Sequence, residues 1–327
     1  MEFTTDKILT VSIAAYNVER YLDDALKSCI PAIQELDVIV VNDGSKDGTL
    51  EVAKQWERKY PDSIRVIDKQ NGGYGSTMNA SIPLARGVYF RYLDGDDLFD
   101  AEQLADYVRI LAECVDDAVV TSYRRVYESG AEPETKDCVA YLSEGSHGVA
   151  GLDPSKPIAA CAIAYKTDLL KKFSFTMTEG CFYTDIEYAY YPMRYVNTLY
   201  VSRNPVYQYR IGREGQSVSI EGIKRHHSDL LRVCKRLLHE VGSFECDASN
   251  YLQGCLAKEC ALAFRFTCIS GPDRSCKKEL REFDDYVKRE SSAIYAQMAR
   301  SGKLVYLLRR TRFLAWGLAC RRVKRRA

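Results

Sequence analysis

The chain has 327 residues, 46% of them hydrophobic and 28% charged, with a formal net charge of +1. That is an ordinary globular composition, long enough for one large domain with an appendage or two modest domains. It excludes a protein held to nucleic acid by its overall charge, and no apolar run approaches the ~20 residues of a membrane-spanning helix.

The first hundred residues alternate strand and helix. Apolar runs predict strands near 8–14, 37–42, 64–68 and 88–93. The segments between them predict helices near 20–34, 47–60 and 76–86, with Asp47 capping the second. Alternation of this kind builds a parallel sheet through right-handed crossovers. A helix near 100–113 leads to a strand at 117–127, and residues 128–157, rich in Gly, Glu, Ser and Pro, read as a hairpin and an exposed loop. Strand Ile158–Tyr165, a short helix Lys166–Lys172, a helix Thr184–Tyr195 and short strands Thr198–Val201 and Val206–Ile211 follow. From about 221 the pattern is helical to the end. The expected division is an α/β domain over 1–220 and a helical region over 221–327.

The densest chemistry is Asp94-Gly95-Asp96-Asp97, which closes the apolar run Val88–Leu93. Three carboxylates at the carboxyl end of a strand repel one another unless a cation neutralises them. Hard oxygen ligands of this kind suit Mg²⁺ or Mn²⁺ bridging to phosphates, and a plain polar turn is the alternative. A second run, Asp37–Val41, ends in Asn42-Asp43-Gly44-Ser45, and a third, Ile8–Ala14, ends in Ala15-Tyr16-Asn17. Ligands of open α/β sheets sit at the carboxyl ends of strands, so Asp43 and Asp94–Asp97 fall on one rim. Asn71-Gly72-Gly73-Tyr74-Gly75 precedes a helix, whose free N–H groups attract anions, although such loops are also common turns.

Taken in order and spacing, Ser12–Asn17, Val41–Thr49, Asn71–Asn79, Leu93–Asp97 and Tyr183–Glu187 resemble the family 2 glycosyltransferases, inverting enzymes of the GT-A fold. The likeness covers roughly residues 8–220, with Ala15 standing where the family usually carries proline. It implies a Rossmann-like, mostly parallel sheet flanked by helices, with an α-helical C-terminal extension. It implies a metal-dependent transfer of a sugar from a nucleotide-sugar donor, UDP-linked, to an acceptor hydroxyl, in cell-surface polysaccharide or glycolipid assembly. The acceptor would be a saccharide or a lipid-linked one.

The resemblance also assigns residues. Asp43 would accept from the uracil N–H, with Ala14, Ala15, Tyr16 and Asn17 around the base. Gly73 and Asn79 belong to the nucleotide side, unless Asn79 only packs or caps. Asp94 would contact ribose and position the metal beside Gly95, Asp96 would bind Mn²⁺ or Mg²⁺, and Asp97 would be an auxiliary ligand or support. Asp185, opening a helix, is the expected base that takes the acceptor proton, with Glu187 and Glu179 as competitors. Arg210, Arg213, Gln216 and Ser217 lie in a loop that would close over the diphosphate. Some relatives carry a histidine ligand in that loop, and none occurs within 205–219 here. His226 and His227 read as helix surface. Arg91, odd within a buried strand, would either pair with the acid cluster or touch the donor.

Two rivals stay open. A sugar-phosphate nucleotidyltransferase would show a glycine-rich N-terminal loop ending in a basic residue, which Ser12–Asn17 does not offer. A non-catalytic GT-A scaffold is opposed by the set Asp43, Asp94, Asp96 and Asp185. The twelve cysteines contain no CxxC pair and read as reduced core thiols of a cytosolic protein, and Met1–Asp6 lacks an apolar signal core.

No acidic residue follows Glu290, whereas ten lysines and arginines do. Leu304, Leu307, Leu308, Thr311, Leu314, Ala315 and Leu318 recur at helical spacing, with Arg309, Arg310, Arg312, Tyr306, Phe313 and Trp316 opposite. Residues 303–327 therefore suit the anionic inner face of a membrane, or a helix docked on the protein, or a disordered basic end.

Overall fold

The alternation of apolar runs and amphipathic segments folds as a mixed sheet flanked by helices. The computed structural model describes residues 7–212, 219–241 and 245–325. The chain divides into two compact units, Met1–Gly151 with Ile158–Arg213, and Leu152–Pro157 with Glu214–Ala327.

In the first unit the elements run β1 (Leu9–Ala15), α1 (Glu19–Ser28), β2 (Leu36–Asp43), α2 (Thr49–Lys59), β3 (Ile64–Lys69), α3 (Tyr74–Ser81), β4 (Tyr89–Asp94), β5 (Leu98–Phe99) and α4 (Ala101–Glu113). They continue with β6 (Ala118–Tyr127), β7 (Glu134–Lys136), β8 (Gly145–Gly148), β9 (Ile163–Lys166), α5 (Thr167–Lys172), α6 (Asp185–Tyr190) and β10 (Thr198–Ile211). The strand order is β3-β2-β1-β4-β9-β6-β10-β5, with β7 on β6 and β8 on β10. The pairs β1–β2, β1–β4, β2–β3 and β6–β10 are parallel, and β9 lies antiparallel to both β4 and β6. β1 and β2 are covered on both faces, which is why they read as continuous apolar runs rather than as alternation.

Several boundaries differ from the sequence reading, and proline accounts for most of them. α1 stops at Ser28, and Pro31 then starts a 3₁₀ turn over Ile30–Ala32. α3 ends at Ser81 before a similar turn with Pro83. The two short strands expected between 198 and 211 are one strand, whose register slips between Ser202 and Tyr207, the stretch that holds Pro205. Proline has no N–H to give the ladder, so a bulge carries the strand past it. Asp47 lies one residue before the cap of α2, yet its carboxylate accepts from the Thr49 N–H at 3.1 Å and the Glu19 N–H at 3.2 Å, serving the starts of two helices.

At the amino ends of β1 to β3, Asp37 is wholly buried and bound by cations. It accepts from Arg65 at 2.8 Å, from Arg86 Nε at 3.0 Å, from the Arg86 N–H at 2.9 Å and from Thr10 Oγ1 at 3.0 Å.

The second unit is built on α7 (Ile220–Val241), α8 (Ser249–Ser270), α9 (Arg274–Glu290), α10 (Ser292–Ser301), α11 (Lys303–Arg310) and α12 (Trp316–Lys324). α8 is buried nearly all round because α7, α9, α10, α11 and α12 all pack on it. All twelve cysteines are free thiols, eight of them buried, as core residues. His226 and His227 lie on α7, facing Asp229 at 3.2 Å and Glu279 at 3.4 Å. Among the described residues no helix is long and apolar enough to cross a membrane.

The tail departs from the single periodic helix expected of 304–318. Arg312 and Phe313 both take positive φ, so the chain turns between α11 and α12 and the faces do not stay in line. The buried set is Val305, Leu308, Phe313, Trp316, Ala319 and Cys320, while Leu314 and Leu318 face out. Arg309, expected on a basic outer face, instead donates to Asp284 at 2.6 Å and lies 3.5 Å over the Tyr295 ring.

Candidate active site

Sheet register assembles the rim that the sequence suggested. Ala14 pairs with Asp94 on one side of β1 and with Val41 on the other, so Asn42 and Asp43 follow one step further along the same edge. Gly95 then turns the chain back under β1, its N–H donating to the Ala14 carbonyl at 3.1 Å. A Cβ at Gly95 would stand 2.8 Å from that oxygen, so only glycine allows the turn. Tyr16, 48% exposed, and Asn17, with φ of 53°, follow at the open edge. Asn17 Oδ1 accepts from the Lys46 N–H at 2.8 Å, and its own N–H donates to Ser45 Oγ, which ties the β1 and β2 loops together.

Asp43 is 2% exposed, and its carboxylate organises the glycine-rich loop. One oxygen accepts from Lys69 Nζ at 2.7 Å and from the Gly72 N–H at 2.9 Å, and the other accepts from the Gly73 N–H at 2.8 Å. Gly73 has φ of 79°, and its Cα faces the Gly180 backbone closely enough that a Cβ would meet it at 3.2 Å. The loop and the segment 177–181 thus touch backbone to backbone, and the Gly180 N–H donates to the Gly72 carbonyl.

That second segment is also held by Asn79. Its amide donates to the Met177 carbonyl and to Glu179, and its oxygen accepts from the Met177 N–H, so Asn79 is a clamp between α3 and 177–179. Glu187, 1% exposed, is taken up likewise, accepting from both the Thr178 N–H and the Thr178 hydroxyl at 2.6 Å. Two competitors of Asp185 are therefore committed within this segment. Asp185 opens α6, and its carboxyl is raised above the ordinary value of 3.8 by burial, against the pull of the Asp185 and Ile186 N–H groups, with Glu187 adding to the rise.

The acid cluster divides its work. Asp97 is buried, accepting from the Tyr207 hydroxyl at 2.7 Å and from the Arg210 N–H at 2.8 Å. The Tyr207 oxygen in turn accepts from the Asp94 N–H at 3.3 Å. Burial, then the charges of Asp94 and Asp96, push the Asp97 carboxyl well above the usual carboxylate range. Tyr74, Tyr92 and Tyr209 are raised by burial first, and both Asp94 and Asp185 add to each, so the two acids act on the same group of rings. The Tyr74 hydroxyl is buried there beside Asp94.

One expectation is corrected. Arg91, 1% exposed, does not pair with the acids. Strand alternation turns it to the face opposite Asp94, where it donates to the Cys161 carbonyl and lies over the rings of Tyr107, Phe99 and Tyr207 at 5.0 to 5.8 Å. The Arg210 side chain reaches Asp24 at 3.8 Å and stacks over Tyr21 at 5.0 Å, and its site contact is the backbone N–H on Asp97. Arg213, Gln216 and Ser217 lie outside the described residues. Sequence reasoning missed Tyr207 and Lys69: each is an ordinary strand residue until pairing sets Lys69 opposite Asp43, and a bulge resets the register just before Tyr207.

Among the described residues no three His, Cys, Asp or Glu side chains form a ready metal cage. A nucleotide-bound Mg²⁺ or Mn²⁺ takes one or two carboxylates and completes its shell with water and phosphate oxygens. Asp94 and Asp96 match that need. Burial raises Asp97 first, and the charges of Asp94 and Asp96 add to the rise.

The model of a family described as "Glycosyl transferase family 2" matches residues 10–172. The chain is 39% identical over 92 residues to the minor teichoic acid biosynthesis protein GgaB of Bacillus subtilis strain 168, covering 27% of this chain and 10% of that protein. It is 34% identical over 96 residues to the chondroitin synthase of Pasteurella multocida, covering 29% of this chain and 10% of that protein. Its alignments span 10 to 33% of the length of such curated relatives. Among solved structures, S. aureus TarS 1–349 in complex with UDP-GlcNAc matches with a TM-score of 0.71 at 20% identity, over 97% of this chain and 90% of that one. The mannosyltransferase PcManGT from Pyrobaculum calidifontis, in complex with GDP-Man and Mn²⁺, matches at 0.52 and 17% identity, over 97% and 86%.

Proposed function

The chain belongs, through residues 10–172, to glycosyl transferase family 2 and has the GT-A fold, and from that premise we propose that it transfers a sugar from UDP to an acceptor hydroxyl with inversion. The observation that carries this reading is that Asp94 closes β4 beside Ala14, while the glycine-rich loop held by Asp43 meets the 177–181 segment that leads into Asp185. One acid belongs to the donor rim and the other opens α6, so a sugar bound between them has a carboxylate on the side from which an acceptor attacks.

Asp185 is the base. Its carboxylate accepts the acceptor proton as the hydroxyl oxygen attacks the anomeric carbon from the face opposite the departing diphosphate. Burial raises its pKa against the pull of the Asp185 and Ile186 N–H groups, which makes it a stronger base than an exposed carboxylate. Asp43, through the Gly72 and Gly73 N–H groups, fixes the loop that borders the nucleotide, and Tyr16 and Ala14 lie beside the base. Asp94 and Asp96 would hold Mn²⁺ or Mg²⁺, which neutralises the leaving diphosphate when bound. Asp97, held by the Tyr207 hydroxyl and the Arg210 N–H, would be an auxiliary ligand or a support for them. The structures of TarS with UDP-GlcNAc and with UDP favour a uridine donor, and the names of the teichoic acid and chondroitin relatives favour a saccharide or lipid-linked acceptor in polymer assembly.

The test is calorimetry of UDP and GDP with and without Mn²⁺, followed by nucleotide release from a panel of nucleotide sugars offered with saccharide acceptors. Tighter UDP than GDP binding, strengthened by Mn²⁺ and no longer so in Asp96→Ala, is expected. Equal UDP affinity with and without metal would overturn the metal role. Pyrophosphate release from a nucleoside triphosphate and a sugar phosphate would mark a nucleotidyltransferase, and binding without any turnover a scaffold.

A further inference from the structure

The break between α11 and α12 gives the second unit an outer surface of unusual composition. α12 buries Trp316, Ala319 and Cys320, and turns Leu318 outward, 61% exposed, with Arg321 and Arg322 three and four residues on. Leu314, at the turn just before the helix, is 85% exposed and stands four residues before Leu318. Arg325 continues the same stripe and is exposed. On α11, Tyr306, 54% exposed, and the exposed Arg310 are likewise four residues apart on one side. Leucines at such exposure have no packing role in the unit, and single exposed apolar residues are unremarkable only when scattered. Here Leu318 precedes Arg321 and Arg322 by one helical turn, in a stretch with no acidic residue after Glu290.

We propose that this face docks on the surface of an anionic lipid bilayer. Charge complementarity selects the occupant: a run without acids attracts a negatively charged plane, and short apolar side chains among the arginines then enter the headgroup boundary. The aromatic Tyr306 suits the same depth, with an apolar ring and a polar tip. The inward residues keep α12 anchored, so docking needs no refolding. The helix lies on the surface and does not span it, in keeping with the lack of any membrane-crossing helix among the described residues. Each basic residue near an anionic surface is worth about fivefold in affinity, so the stripe gives reversible, salt-sensitive binding.

The test is co-sedimentation of the full chain with vesicles of phosphatidylglycerol in phosphatidylcholine, and with phosphatidylcholine alone, at low and high salt. Binding is expected only to the anionic vesicles, and it falls as salt rises. Leu314→Ser with Leu318→Ser is expected to lower it about tenfold or more, as is the triple change Arg321→Gln, Arg322→Gln and Arg325→Gln. All five side chains are exposed, so melting by circular dichroism should not move. UDP binding measured on the same variants should also stay, which separates a failure of this surface from a failure of the proposed reaction. Absence of binding to anionic vesicles at low salt overturns the assignment, as does full binding by the leucine variant. Self-association without lipid that the leucine variant abolishes would give the face to a second copy of the chain and overturn it too.

Discussion

The two ends of the central sheet treat buried carboxylates in opposite ways. At the amino end, Asp37 is matched by the guanidinium groups of Arg65 and Arg86 and by Thr10, a closed ion cluster that joins the starts of three strands. At the carboxyl end, Asp97 is held by neutral donors, a tyrosine hydroxyl and a backbone N–H, while Asp94 and Asp96 add charge of the same sign. A paired buried acid holds a fold together. A crowded one leaves electrostatic work for a ligand to complete.

That contrast can be broken by substitution. The largest loss of stability should come from Asp37→Ala, which strands two arginines: about 3 kcal/mol, at the low end for a broken buried pair because both guanidinium groups reach water. Urea unfolding reads it, and a loss under 1 kcal/mol would deny the cluster its role. Asp185→Asn should leave stability and UDP affinity in place and lower transfer by a factor on the order of 10². Near-normal turnover would remove Asp185 as base. Glu187 or Glu179 would then be tried next, although Thr178 and Asn79 hold them in this structure.

The pH dependence of transfer sharpens the same point. The active form of Asp185 is deprotonated, and its pKa is raised, so the acid limb of kcat/KM should fall above pH 3.8 and vanish in Asp185→Asn. A limb at or below that value would show that burial does not act on the base. Tyr207→Phe removes two hydrogen bonds and should cost about 2 kcal/mol of stability, and it should weaken the Mn²⁺ enhancement of UDP binding, because Asp94 and Asp97 lose their shared brace. A change in stability without any change in the Mn²⁺ response would make Tyr207 merely structural.

The smallest effect on stability should be that of Asp97→Asn. A carboxyl with a raised native pKa lends stability only while protonated, below its unfolded pKa, and loses it as pH rises through the native one. At pH 7 the charge therefore costs stability, and the amide, whose oxygen accepts from the Arg210 N–H while its NH₂ turns to the Tyr207 oxygen, should change stability little. A large loss at pH 7 would mean that the negative charge itself is needed for folding.

Most of the rim was legible because it depends on chain order. A strand ending in Asn42-Asp43 and another ending in Asp94-Gly95-Asp96-Asp97 meet at the carboxyl edge of a parallel sheet through the crossover rule alone. The partners were not legible. Arg91 looked like a natural mate for acids three residues away, yet odd and even strand positions face opposite ways, and it lies among aromatic rings. Asn79 and Glu187 looked available for chemistry, yet each is bonded to the 177–179 segment, about one hundred and nine residues away respectively. The tail was misread for the related reason that a periodic pattern says nothing of where a helix stops.

By itself the sequence determined the class of fold, the family motifs, the acids on the strand ends and the acid-free run after Glu290, because each is a property of composition and local period. Only the tertiary structure decided which acids are neutralised and which are left crowded, that Tyr207 and a bulged strand brace Asp97, and that Arg309 is an interior partner while Leu314 and Leu318 are not. Those outcomes depend on strand register and on breaks in helices, where a shift of one residue moves a side chain to the other face.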